Sequence, residues 1–116
     1  MGSPVVRFEI GAADDQPLVR FYGELFGWDL QAVTEGYTLV DTRGGRGING
    51  GIGAGGEARW VTVYAAVEDV EATLARAGSL GGTRVYGPNP VDDHTDTGAF
   101  RDPAGNLFGV YRHGPH

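Results

Sequence analysis

Residues 60–70 read Trp60-Val61-Thr62-Val63-Tyr64-Ala65-Ala66-Val67-Glu68-Asp69-Val70, and they carry the plan of the whole chain. Up to Val67 the stretch alternates. Val61, Val63, Ala65 and Val67 fall on one face and Trp60, Thr62, Tyr64 and Ala66 on the other, the two-residue period of a half-buried strand. Glu68-Asp69 then offers carboxylates to the unpaired amides of a helix start. Val70, Leu74 and Ala77 form an apolar stripe, and Gly78 is the expected stop. The same order occurs 55 positions earlier. Val5 to Ala12 alternates, with Val6, Phe8 and Ile10 opposite Val5, Arg7 and Glu9. Asp14 or Asp15 caps a helix that carries Pro17 in its first turn. Leu18, Phe21, Tyr22 and Leu25 make its stripe, expected to cover the Phe8/Ile10 face, and Gly27 ends it.

Outward from these two anchors, Trp28 to Val33 and Gly36 to Thr42 alternate around Glu35-Gly36 and read as a hairpin. Between Gly44 and Gly56, eight of thirteen residues are Gly, which leaves only Ile48 and Ile52 as anchors for a short, weak strand. Arg84 to Tyr86, Gly98 to Arg101 and Asn106 to Arg112 are further strands, with Asp102-Pro103-Ala104-Gly105 a turn between the last two. Each half therefore runs strand, acidic cap, amphipathic helix, strands, and closes on a strand carrying Gly and an apolar residue: Gly51-Ile52, then Gly109-Val110. Such an internal repeat, neither half of which buries its sheet alone, predicts one domain over residues 1–116 with modules at about 5–56 and 57–113.

The chain has 116 residues, 41% of them apolar, no Cys and a net charge of −6. A chain of this size hides roughly two-thirds of its unfolded surface, so it needs no disulfide or structural metal. Without Cys there is no thiolate nucleophile, thiolate zinc site or iron-sulfur cluster. The negative charge opposes binding to nucleic-acid phosphates or anionic lipid. No apolar stretch approaches the roughly 20 residues that span a bilayer, and no charged-then-apolar leader opens the sequence. We expect a cytoplasmic protein with neither nucleic acid nor membrane as partner.

Three segments together resemble the vicinal oxygen chelate superfamily, which includes glyoxalase I, bleomycin-resistance proteins and extradiol dioxygenases. They are Phe21-Tyr22-Gly23-Glu24-Leu25-Phe26-Gly27-Trp28 after the first strand, the passage Tyr64-Ala65-Ala66-Val67-Glu68-Asp69-Val70, and the ending Asp102-Pro103-Ala104-Gly105-Asn106-Leu107-Phe108-Gly109-Val110-Tyr111. The resemblance covers nearly the whole chain. It implies an α+β fold of two βαβββ modules forming a curved mixed sheet around a pocket, helices outside, commonly as a homodimer. Metal-dependent members place His, Glu or Gln at four inward positions. Here these fall on Arg7, Gly51 (Gly50 in the alternative register), Thr62 and Gly109. A guanidinium, a hydroxyl and two absent side chains are not ligands for a divalent ion, so no metal and no cofactor is expected.

On the concave face we expect Arg7, Glu9, Asn49, Thr62, Tyr64, Leu107 and Tyr111, with Trp60 near the rim. This mixed aromatic and polar lining suits a small organic ligand. Arg7 anchors a carboxylate or enolate, or else pairs with Glu9 two residues away. Glu9 is the candidate general base, or else a hydrogen-bonded structural carboxylate. His94, in a polar connection rich in Asp, is a candidate proton carrier over the pocket mouth, or a solvated loop residue. His113 and His116 read as a frayed tail. Gly51 to Gly56 matches G-x-G-x-x-G but opens no helix, and the chain lacks the lysine of a phosphate loop. Two functions follow: a metal-free isomerase, lyase or cyclase using Glu9, Arg7 and His94, or a binding protein that sequesters an aromatic metabolite or antibiotic.

Overall fold

The computed structural model describes residues 2–55 and 59–114, in the order β1 (Val5–Ala12), α1 (Gln16–Phe26), β2 (Asp29–Thr34), β3 (Tyr37–Asp41), β4 (Asn49–Ala54), β5 (Trp60–Ala66), α2 (Val70–Ser79), β6 (Thr83–Asp92), β7 (Thr95–Arg101) and β8 (Leu107–His113). This is the expected α+β class with its doubled βαβββ order. Two compact units divide the chain, one comprising Val6–Thr62 and the other Val63 onward with the segment before Val6. Gly56, Glu57, Ala58 and His116, which the sequence reading touched, lie outside the described residues.

In the first unit the strands run β2-β3-β4-β1. β1 and β4 are parallel, with Arg7 beside Asn49 and Ile10 beside Ile52, while β4, β3 and β2 are antiparallel. Helix α1 covers one face. Buried Ile10, Val40 and Ile52 meet Leu18, Val19 and Tyr22 there, and burying Ile52 alone contributes about 1.5–3 kcal/mol. The helix stripe differs from expectation: Phe21 and Leu25 are each 57% exposed, and Val19 packs inward. Tyr22 stacks on Trp28 at 5.6 Å and 12°, and Trp28 in turn packs on Phe8 at 5.5 Å, so this aromatic group sets which side of α1 meets the sheet. Gly27, at φ 69°, ends the helix by donating its amide to Gly23 as expected. The glycine-rich segment forms a full strand, β4, between β3 and β1 rather than a weak one.

In the second unit the order is β5-β8-β7-β6, with β5 and β8 parallel and the remaining pairs antiparallel. Val70, Leu74 and Val110 form its buried core with Val67 and Phe100 packed against them. Asp69 caps α2 by accepting the Ala72 amide at 2.9 Å. The helix does not stop at Gly78. It runs to Ser79, whose hydroxyl donates to the Arg76 carbonyl, and left-handed backbone first appears at Gly81, φ 102°. The polar connection expected at residues 90–97 is instead a hairpin. β6 continues to Asp92 and β7 begins at Thr95, because the Asp92 carboxylate accepts the His94 amide at 2.7 Å and closes a tight turn. Pro88 and Pro90 are tolerated because β6 is the edge strand of this order.

Candidate functional site

Phe8 and Ile10 face α1, so Arg7, Glu9 and Gly11 emerge on the opposite face of the first unit, where Arg7 and Glu9 are half-buried. Beside them on β4 stand Asn49, Gly51 and Gly53. Two rings lie on this face. The Trp60 indole rests where a side chain on Gly11 would be, and the Tyr37 phenol rests where one on Gly51 would be, so any Cβ at either position would overlap a ring. Trp60 donates from Nε1 to Oε1 of Glu9 at 3.1 Å, and Arg7 donates from Nη2 to the Tyr37 hydroxyl at 3.4 Å. Thus Glu9 is oriented by an indole, and Arg7 is directed to a phenol. A recess of about 260 Å³ lies at Arg7, lined also by Asp29, Gln31, Leu39, Asp41 and Asn49. Asn49 accepts the Thr42 amide at 3.0 Å and so also closes the β3–β4 connection. Thr62 is buried.

Tyr37 was not singled out by sequence reasoning. A tyrosine one strand away from three closely spaced glycines, Gly50, Gly51 and Gly53, is the available signal, because bare backbone on a buried strand needs a large neighbour to fill it.

In the second unit the Tyr64 ring lies on Gly109 in the same manner, and its hydroxyl is 3.4 Å from that of Tyr86. Leu107 and Tyr111 flank Gly109 at two-residue spacing and share its face. Tyr111 stacks on His113 at 6.2 Å and 7°. His113 is no frayed tail residue: it ends β8, and its Nδ1 is 2.7 Å from the hydroxyl of buried Thr95. His94 is exposed at the hairpin tip, and its carbonyl accepts the Gly114 amide at 2.8 Å. The Asp92 carboxyl beside it is held below its ordinary value, chiefly by the His94 amide.

Of the four positions where the resemblance would place metal ligands, Arg7 is cationic and Thr62 offers an alcohol. The volumes a side chain would need at Gly51 and Gly109 are taken by Tyr37 and Tyr64. Among the described residues no group of three or more His, Cys, Asp or Glu is arranged to hold an ion. This donor set does not fit a divalent metal. Among the described residues, no helix is long and apolar enough to cross a membrane.

The glyoxalase-like domain family matches residues 7–111. Two curated relatives are similar over 92% of the chain: the anthracycline biosynthesis protein DnrV of Streptomyces peucetius, at 30% identity, and DauV of Streptomyces sp. strain C5, at 29%. The chain spans 46% of each of these proteins. Methylmalonyl-CoA epimerase from Mycobacterium tuberculosis shares the fold, with a TM-score of 0.68, 16% identity, and coverage of 96% of this chain and 88% of that one.

Proposed function

Because the chain belongs to the glyoxalase-like domain family, we propose that it binds a small carbonyl or carboxylate compound without metal and moves a proton on the carbon beside the carbonyl. Glu9 takes the C–H proton onto its carboxylate, and the electron pair passes to the carbonyl oxygen as an enolate. The Arg7 guanidinium stabilises that oxygen. Return of the proton to the same or another carbon completes an isomerase step; in a lyase step the enolate electron pair instead expels a group from the neighbouring carbon, which leaves with the proton, and in a cyclase step it attacks a second carbonyl of the same molecule, whose oxygen takes the proton. Carrying this reading is the face of β1 opposite α1, where Glu9, bonded to the Trp60 indole, stands two residues from Arg7. In the first unit Trp60 supplies aromatic area for a ligand, with Asn49 and Thr62 as further lining; in the second, Tyr64, Leu107 and Tyr111 form a surface of the same kind, with His94 as an auxiliary proton carrier. The name of the epimerase with the same fold describes chemistry of this class.

A second reading has its own support. A Glu9 carboxylate that already accepts the indole N–H is placed as a structural carboxylate is, which suits a protein that sequesters an aromatic metabolite or antibiotic without chemistry. We place the protein in the cytoplasm as a homodimer, with exposed Phe21, Leu25 and Phe26 as apolar surface available for association.

The test begins with the compound that co-purifies with the protein, identified by mass spectrometry and returned to native and Glu9→Gln chains in D2O. Deuterium entering beside the carbonyl with the native chain, and lost with Glu9→Gln while binding persists, supports the enzyme. Binding without incorporation by either leaves sequestration. Equal incorporation by both removes Glu9 from the mechanism.

A further inference from the structure

We propose that Tyr37 is a positioning residue that holds the Arg7 guanidinium on the face of the first unit opposite α1, against the pull of Asp29 and Asp41. This rests on the anion-holding role given to Arg7 above and adds the device that makes the role possible.

Three observations carry it. First, the Tyr37 ring is fixed: it lies on the bare backbone of Gly51, where any larger residue would displace it, so its hydroxyl has a set location. Second, that hydroxyl accepts from Nη2 of Arg7 at 3.4 Å, which uses one of the five guanidinium N–H groups and leaves the planar fork to address an oxygen acid. Third, Asp29 and Asp41 line the same recess as Arg7. Each carboxylate is engaged with Arg43, Asp29 through an ion pair at 3.4 Å and Asp41 through the Arg43 amide at 2.8 Å, yet each retains acceptor capacity. A guanidinium freed from Tyr37 therefore has two carboxylates within its own recess to turn to, and an arginine satisfied by carboxylates no longer attracts an anionic ligand.

The probe is 4-nitrophenol, whose phenolate absorbs separately from the phenol, so that the bound form is read directly by absorbance. With the native chain the bound probe shifts toward phenolate, and Arg7→Gln abolishes the shift. Tyr37→Phe keeps the ring on Gly51 and removes only the hydroxyl. It is expected to weaken phenolate binding roughly fivefold while leaving binding of the neutral phenol unchanged. Adding Asp29→Asn and Asp41→Asn to Tyr37→Phe restores phenolate binding, since the competing charges are gone. Phenolate binding that survives Tyr37→Phe but not Arg7→Gln would overturn the role of Tyr37 and leave Arg7 as the anchor. A loss that the two Asn substitutions do not recover would overturn it as well, because the Tyr37 hydroxyl would then act on the bound phenolate itself and not by holding Arg7 away from the carboxylates. A native chain that takes up phenol and phenolate equally would remove the anion-holding role of Arg7 itself, and the proton-transfer reading with it.

Discussion

Trp60 donates its indole N–H to Glu9 at 3.1 Å while its ring covers Gly11, so one side chain from β5 fixes two positions of β1. Replacing Trp60 by Phe retains a ring over the glycine and removes one donor to a half-buried carboxylate. The expected cost is about 1–2 kcal/mol in urea unfolding, with far-UV circular dichroism unchanged. A variant as stable as the native chain would show that Glu9 does not depend on the indole.

Gly11 cannot carry a methyl group while Trp60 keeps its place. Gly11→Ala is expected to lose about 1–3 kcal/mol, with a red-shifted tryptophan emission as the indole swings toward water. In the Trp60→Ala background the same substitution should cost little, because its clash partner is gone. Equal costs in both backgrounds would contradict the packing.

Helix α1 presents Tyr22 to the sheet and Phe21 to solvent. Tyr22→Ala is expected to destabilise by about 2–3 kcal/mol, since its ring is half-buried, and Phe21→Ser by less, about 1 kcal/mol, for the lost edge contact with Tyr22. The opposite ranking, measured by thermal unfolding, would mean that the helix sits in the rotation its sequence stripe suggested.

Asp102 binds its own turn. The Asn106 side chain donates to its carboxylate, as do the amides of Asn106 and Ala104, and these bonds hold the carboxyl below its ordinary value of 3.8. A group with a depressed folded value contributes stability that is fully present above the ordinary value and is lost as pH falls through the folded one. Stability should therefore be flat in this contribution from pH 7 to 5 and decline in acid below about 4. Asp102→Asn should be less stable at pH 7 and show a shallower acid decline. An unchanged acid profile would show that the turn is indifferent to this charge.

How far the sequence foretold these features depended on whether a signal was local. β1 was legible to the residue, because its alternation and the acid-Pro helix start after it depend only on neighbours in the chain. So was the Asp69 cap. The α1 stripe was misjudged because four apolar positions, Leu18, Phe21, Tyr22 and Leu25, compete for one face, and the Tyr22–Trp28 stack settles the choice from outside the helix. The extent of β6 was missed because two prolines and the Asp92-Asp93-His94 run look like loop, whereas an edge strand tolerates the former and a tight turn employs the latter. That Arg7 and Glu9 share one face of β1 was legible from strand parity. Tyr37 was not, since its place over Gly51 depends on the register between β3 and β4, which no local pattern encodes.

The central claim is that the Arg7–Glu9 face of the first unit works without a divalent ion, because the Tyr37 ring occupies the space that a ligand side chain at Gly51 would need. Native mass spectrometry of freshly purified chain, desalted without chelator, tests it most directly. We predict a mass accounted for by polypeptide and an organic molecule alone, unchanged by treatment with EDTA. One equivalent of divalent metal retained through desalting, with EDTA removing both the metal and the bound molecule, would contradict it.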